Sequence, residues 1–96
     1  MHPSIAPQWH RDRIREIALE HRVTNVRVFG SVVTGEDTEE SDLDILVDPT
    51  GDATLFGIAR IQAEVSALLP VSVDLLTPKA LPERFRQRVL DEARAI

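Results

Sequence analysis

The sequence feature that most constrains the fold is the stretch of residues 30–44, GSVVTGEDTEESDLD, which separates two short apolar runs. These runs, residues 26–29 and 45–47, are rich in Val, Ile and Phe, which favour β-strands. A Gly-Ser pair directly after a strand suits a tight turn. The pattern therefore predicts two strands joined by a Gly-Ser turn, a short helical segment that ends near Gly35, and an acidic, solvated loop over residues 36–41.

Two carboxylates open the second predicted strand, residues 42–47. Because side chains alternate along a strand, Asp42 and Asp44 are expected side by side on one face, with Leu43 on the other. Two neighbouring carboxylates repel each other unless one is protonated or a cation lies between them. Mg²⁺ takes oxygen ligands and is often held by one or two carboxylates plus substrate phosphates. We therefore predict that Asp42 and Asp44 are metal ligands; the alternative is a solvated strand start.

The turn itself is a candidate phosphate site. Gly30 lacks a side chain, so a phosphate can approach the backbone, and Ser31 would begin a helical turn whose amide groups attract anions. We predict that Gly30 and Ser31 hold the phosphates of a nucleotide. The alternative is an ordinary turn followed by a helix cap.

The rest of the chain alternates between helical and strand patterns. Apolar spacing predicts a first helix over residues 7–21, a helix that starts after Asp52 or Thr54 and runs to about residue 69, and a last helix from near Pro82 to the chain end. A turn is predicted over residues 48–51 and a third strand over residues 71–76. The order predicts a single α/β domain over residues 1–96, with three or four strands in a small mixed sheet flanked by about four helices.

The third strand contains one acid, Asp74, in an otherwise apolar run. A charge in such a run needs a partner or a metal. If this strand lies beside the second, Asp74 can join Asp42 and Asp44 in a three-carboxylate site; the alternative is an acid on an edge strand that faces water.

Composition excludes several classes of function. The 96 residues contain no cysteine, so disulfides, thiolate metal sites and a cysteine nucleophile are excluded. Residues 28–59 contain eight acids and no Lys, Arg or His, whereas the other residues contain eight acids and eleven bases. No basic stripe is evident, so nucleic-acid binding is not expected. We expect a cytoplasmic protein, because no apolar run could span a membrane and the N-terminus is unlike a signal peptide.

Taken together, these motifs resemble the nucleotidyltransferase superfamily that includes DNA polymerase β, and most closely its minimal, MNT-type members. The signature is Gly-Ser, a gap of about ten residues, Asp-x-Asp, and a third carboxylate on a later strand. The matching residues are Gly30-Ser31, Asp42-Leu43-Asp44 and Asp74. The similarity also covers the leading helix, VRVFGS, SDLDILV, VDLLTP and RQRVLDEA.

The resemblance implies transfer of a nucleoside monophosphate from ATP or another nucleoside triphosphate, with two Mg²⁺ ions as the cofactor. It implies that Asp42 and Asp44 bind the ions, that Asp74 completes the site and helps to activate the attacking hydroxyl, and that Gly30 and Ser31 hold the triphosphate. Many such proteins are antitoxins paired with a HEPN-domain toxin, and some add AMP to the toxin. A homo- or hetero-oligomer would be compatible with this role.

One departure from the family pattern affects the choice of function. Many relatives have basic residues after Gly-Ser, where this chain has Val32, Val33 and Thr34. The charge that meets the triphosphate is then expected from the ions, from Lys79, Arg84 or Arg60, or from the partner. Three functions stay open: an enzyme that adds AMP to its toxin, an antitoxin that acts by binding alone, and a nucleotidyltransferase for a small molecule or nucleic acid.

Overall fold

In the computed structural model, residues 6–35, 42–69 and 71–96 are described. The helices are α1 (Ala6–Glu20), α2 (Ser31–Thr34), α3 (Leu55–Leu68) and α4 (Glu83–Glu92), with a 3₁₀ turn at Pro78–Ala80. The strands are β1 (Val23–Phe29), β2 (Leu43–Pro49), β3 (Val73–Leu76) and β4 (Arg94–Ala95). They form one four-stranded sheet in the order β3-β2-β1-β4. The predicted fold class, a small mixed sheet flanked by helices, is confirmed.

The sheet combines both kinds of pairing. β2 is antiparallel to β1 and parallel to β3, and β4 is antiparallel to β1. Parallel pairing requires a crossover, and α3 provides it between β2 and β3. Thr54 caps the start of α3, because its hydroxyl oxygen accepts a hydrogen bond from the Gly57 amide at 3.0 Å.

One face of the sheet carries the main core. On β2 this face presents Leu43, Ile45 and Val47, all fully buried. They pack against apolar side chains of α1, of α3 and of the residue that follows α3, namely Ile14, Ile17, Ala18, Ile61, Val65 and Leu69. The apolar spacing of both helices thus serves to cover this face.

The opposite face is only partly covered. Leu46 is fully buried there beside Phe29 and Leu81, and partly buried side chains of α4 pack against this second cluster. Since side chains alternate along β2, Asp44 lies on the same face as Leu46. The face under α4 is therefore apolar toward the end of β2 and acidic at its start.

Several predicted boundaries were wrong. β1 begins at Val23 because its pairing with β2 continues across an irregularity between Thr24 and Arg27. β2 extends through Pro49, so the turn predicted over residues 48–51 starts later. The third strand starts at Val73 rather than residue 71.

The last helix was predicted to reach the chain end, but it stops short of it. It ends at Glu92, Ala93 has extended φ/ψ of −62° and 142°, and residues 94–95 pair with the free edge of β1. The amide of Ile96 also donates to the Val26 carbonyl at 3.1 Å. Backbone pairing with an open sheet edge outweighs a further helical turn here.

The predicted loop over residues 36–41 lies outside the described residues. In the part of the chain that is described, no helix is both long and apolar enough to cross a membrane.

Candidate active site

The turn after β1 has a backbone conformation that requires glycine. Gly30 has φ 75° and ψ −144°, a region that is essentially restricted to glycine. The Gly30 carbonyl accepts a hydrogen bond from Val33 at 3.0 Å, and α2 follows at once. Gly35 ends α2 in the left-handed conformation, and its amide bonds the Ser31 carbonyl. The predicted turn and short helix between Gly30 and Gly35 are therefore present.

Gly30 is also in close contact with an acidic side chain. A Cβ atom placed on Gly30 would lie 2.5 Å from Oδ2 of Asp44. This closeness follows from the register of the antiparallel pair, in which Phe29 lies opposite Asp44. The missing side chain at position 30 thus leaves the space that the Asp44 carboxylate occupies.

Asp44 and Asp74 are direct neighbours in the sheet. They face each other in the register of the parallel β2–β3 pair, so their side chains leave the same face of strands about 4.8 Å apart. Asp42 precedes Asp44 by two residues. Asp44 is half-buried, and Asp42 and Asp74 are exposed. The structure therefore brings the predicted carboxylates to one end of the sheet, next to Gly30.

The electrostatics of Asp44 reflect this arrangement. Partial burial, followed by the negative charges of Asp74 and Asp42, raises the pKa of Asp44 to about 6 from an ordinary value of 3.8. A divalent cation would reverse the effect, since it favours the ionised carboxylate and screens the like charges. Three hard oxygen donors at an open edge fit Mg²⁺.

The ligand oxygens of the three aspartates do not all lie close to one another. Among the described residues, Glu20, His21 and Glu64 form a group of three whose ligand atoms all lie within 4.8 Å of one another. The three aspartates do not form such a group. At the other cluster, His21 and Glu64 make a 2.9 Å hydrogen bond that ties α1 to α3, which gives the pair a structural role.

Of the basic residues suggested for the triphosphate, Lys79 and Arg60 lie away from this site. Lys79 lines a cavity of about 320 Å³ together with Asp48 and Thr77, past the far end of β3. Asp48 comes four residues after Asp44 along β2, a distance of about 13 Å. Lys79 is therefore poorly placed to bind a phosphate held at Gly30.

Three arginines have different surroundings. Arg27 pairs with Asp48 at 2.6 Å, so Asp48 is a structural ion-pair partner. Arg84 lies 6.0 Å from the ring centroid of Phe85, and Arg60 is exposed on α3, which covers the opposite face of the sheet.

Comparison with solved structures defines the class of fold. A structure named "Structure of putative minimal nucleotidyltransferase" aligns with a TM-score of 0.82 and 38% identity, over 93% of this chain and 91% of that one. A toxin–antitoxin structure with AMP-PNP aligns with a TM-score of 0.70 over 88% of this chain and 69% of that one. Its 19% identity supports the shared fold alone.

Sequence comparison gives the family. The family model for the nucleotidyltransferase domain matches residues 9–96. Protein adenylyltransferase MntA of Thermococcus cleftensis is 36% identical over 86% of this chain and 81% of its own length. The chain belongs to the nucleotidyltransferase domain family, and it is an enzyme of that class. The resemblance inferred from the sequence is confirmed.

The raised pKa of Asp44 predicts how stability depends on pH. Because the folded protein holds the Asp44 proton up to about pH 6 whereas the unfolded chain releases it near 3.8, stability falls as pH rises between these values. A difference of this size corresponds to about 3 kcal/mol at most, and to about half of that after solvent screening. Thermal unfolding without divalent ions should therefore show that Asp44→Asn is more stable than wild type at about pH 8, with no gain near pH 3.5. An equal gain at both pH values would contradict this origin.

The contact between Gly30 and Asp44 predicts a specific loss in Gly30→Ala. The new Cβ must displace the Asp44 carboxylate, and the backbone conformation costs about 1–3 kcal/mol. Mn²⁺ titration should show an affinity at least about 10-fold lower, as when groups that orient metal ligands are lost. Gly35→Ala is the matched control, because Gly35 also has positive φ, 79°, but an added Cβ meets nothing within 4 Å. Equal Mn²⁺ affinity in the two variants would disprove the proposed constraint.

Proposed function

We propose that this chain transfers AMP from ATP, in a Mg²⁺-dependent reaction, to a hydroxyl group of a partner protein, and that the partner is a HEPN-domain toxin that the modification neutralises. The observation that carries the proposal is the position of Asp44 beside Asp74 on parallel strands, with Asp42 two residues away and Gly30 against the Asp44 carboxylate.

The arrangement suits phosphoryl transfer, in which positioning and charge neutralisation supply most of the catalysis. Asp42 and Asp44 would hold Mg²⁺, and Asp74 would complete the carboxylate set. When bound, the ions supply positive charge to the triphosphate and to the attacking and leaving oxygens. The backbone at Gly30 and Ser31 would hold the phosphates next to these carboxylates.

The reaction itself exchanges one bond at phosphorus and moves one proton. In the proposed transfer the acceptor oxygen bonds to the α-phosphorus, the bond to the bridging oxygen breaks, and pyrophosphate leaves. The hydroxyl proton passes to Asp74, which is exposed and therefore accessible to a protein acceptor. Asp44 is half-buried and lies against Gly30, so it is better suited to hold an ion.

The choice of a protein acceptor is supported by the relatives. The Thermococcus cleftensis relative is named a protein adenylyltransferase, and the fold is shared with the antitoxin-containing structure with AMP-PNP. The HEPN identity of the partner, and AMP as the group transferred, rest on the family resemblance of the sequence.

A binding-only antitoxin is the second candidate, and one observation favours it. Residues 28–59 contain no basic side chain, and Lys79 lies at the other end of the strands. A protein that lost catalysis could tolerate the loss of phosphate-binding bases. It would not, however, benefit from retaining the repulsion among three carboxylates.

The test is an incubation of the chain with the protein encoded beside it, which we expect to be the HEPN-domain partner, together with Mg²⁺ and each nucleoside triphosphate in turn. Intact mass measurement should show the partner heavier by one AMP, and EDTA should prevent the shift. Asp44→Asn should slow transfer by at least about 100-fold, because it weakens binding of the ion that would stabilise transition-state charge. Asp52→Asn, which removes an exposed acid in the turn after β2, is the control and should react as wild type does.

Toxin neutralisation separates the candidates. If Asp44→Asn neutralises the toxin as well as wild type and no partner changes mass, the protein acts by binding alone. If the mass of a nucleic acid or small metabolite changes instead, the acceptor proposed here is wrong.

A further inference from the structure

The third aspartate lies on a strand that is short and at the edge of the sheet. β3 has four residues and pairs on one side only, with β2. The Ser72 carbonyl accepts a hydrogen bond from the Leu43 amide at 2.8 Å, so the backbone groups of alternate residues from 72 onward point toward β2. The backbone groups of Val73 and Leu75 therefore point away from the sheet and need other partners.

Gln62 of α3 provides both partners. Its side-chain amide nitrogen donates a hydrogen bond to the Val73 carbonyl. Its amide oxygen accepts one from the Leu75 amide at 2.7 Å. One primary amide thus pairs with β3 as a peptide group of a fifth strand would.

These two hydrogen bonds restrain the backbone on either side of Asp74. The Val73 carbonyl belongs to the peptide unit before Asp74, and the Leu75 amide belongs to the peptide unit after it. The φ and ψ angles of Asp74 are rotations between these two planar units. With β2 holding one side and Gln62 the other, the direction in which the Asp74 side chain leaves the strand is determined.

We infer that Gln62 is a positioning residue for the reaction, and that it sets the place of the Asp74 carboxylate from the opposite face of the sheet. Gln62 lies on α3, which packs against the face of Leu43 and Ile45, whereas Asp74 leaves the other face beside Asp44. Gln62 therefore acts through the backbone and touches neither substrate nor ion. This inference rests on the proposed function, since it assigns a purpose to the position of Asp74.

Attachment of α3 to the sheet does not need the polar group. Ile61 and Val65 of α3 are both buried in the main core and hold the helix there. An apolar side chain of similar length at position 62 could add to that packing. What it could not do is pair with the outward-facing backbone groups of β3.

The test variant is Gln62→Met, which keeps the length of the side chain and removes both hydrogen bonds. Mn²⁺ affinity should fall about 10-fold or more, as is typical when a group that orients a metal ligand is removed. NMR relaxation should show a lower backbone order parameter at Asp74 while residues of β1 keep theirs.

Two controls separate positioning from general destabilisation. Ile17→Val shortens a core side chain on α1, away from β3, and is expected to lower thermal stability without changing Mn²⁺ affinity. Gln87→Met removes a glutamine whose side chain pairs with Asp91 on the exposed surface of α4, and it should change neither property. Gln62→Met with unchanged Mn²⁺ affinity and an unchanged order parameter at Asp74 would overturn the inference, as would an equal affinity loss in an Ile17→Val protein of matched stability.

Failure of the proposed function would give a different result. If wild type binds no Mn²⁺ at the aspartates, the metal site itself is wrong. The order parameter of Asp74 in Gln62→Met still decides whether Gln62 restrains that residue.

Discussion

The parallel pairing of β2 and β3 places Asp44 and Asp74 side by side, and the repulsion between their carboxylates is the constraint on which the rest of the structure depends. Partial burial, followed by the charges of Asp74 and Asp42, raises the pKa of Asp44 to about 6. A fold that keeps such an arrangement must offset its cost elsewhere, or have a cation that relieves it. The two faces of the sheet differ in how much they contribute to the core. The face of Leu43 and Ile45 is buried under α1 and α3 and supplies most of the core, while the carboxylates occupy the less covered face.

The backbone around the carboxylates is restrained from several directions. Gly30 adopts a conformation that other residues rarely adopt and thereby leaves room for Oδ2 of Asp44. Gln62 pairs with both outward-facing backbone groups beside Asp74. Neither residue carries a charge, yet each controls where a charge lies. Sites that bind metal ions commonly depend on such supporting residues as much as on the ligands themselves.

The sequence was sufficient for the parts of the site that rest on local patterns. The Gly-Ser pair predicted the turn and the short helix that follows it, and both are present. Strand alternation predicted one face for Asp42 and Asp44, but β2 begins at Leu43, so Asp42 lies just before the strand. The neighbouring placement of Asp74 depended on which strands pair, and it was predicted only on the condition that β3 lies beside β2.

The features that were missed depend on tertiary contacts. β4 has two residues and forms because β1 has an open edge, and nothing in Arg94 or Ala95 signals a strand. The function of Gln62 depends on the outward-facing backbone of β3, which the helical pattern of α3 does not reveal. Lys79 was a reasonable source of positive charge by its residue type, but the length of β3 carries it to the far end of the sheet.

The central claim is that three carboxylates at one end of this sheet form the metal site of a nucleotidyltransferase. The most direct measurement is a crystal structure of the chain with Mn²⁺ and a non-hydrolysable ATP analogue, with the ions located by anomalous scattering. Anomalous peaks are expected within about 2.2 Å of carboxylate oxygens of Asp42 and Asp44, with Asp74 contacting at least one ion. Ions bound at Glu20, His21 and Glu64 instead, or a nucleotide bound away from Gly30, would contradict it.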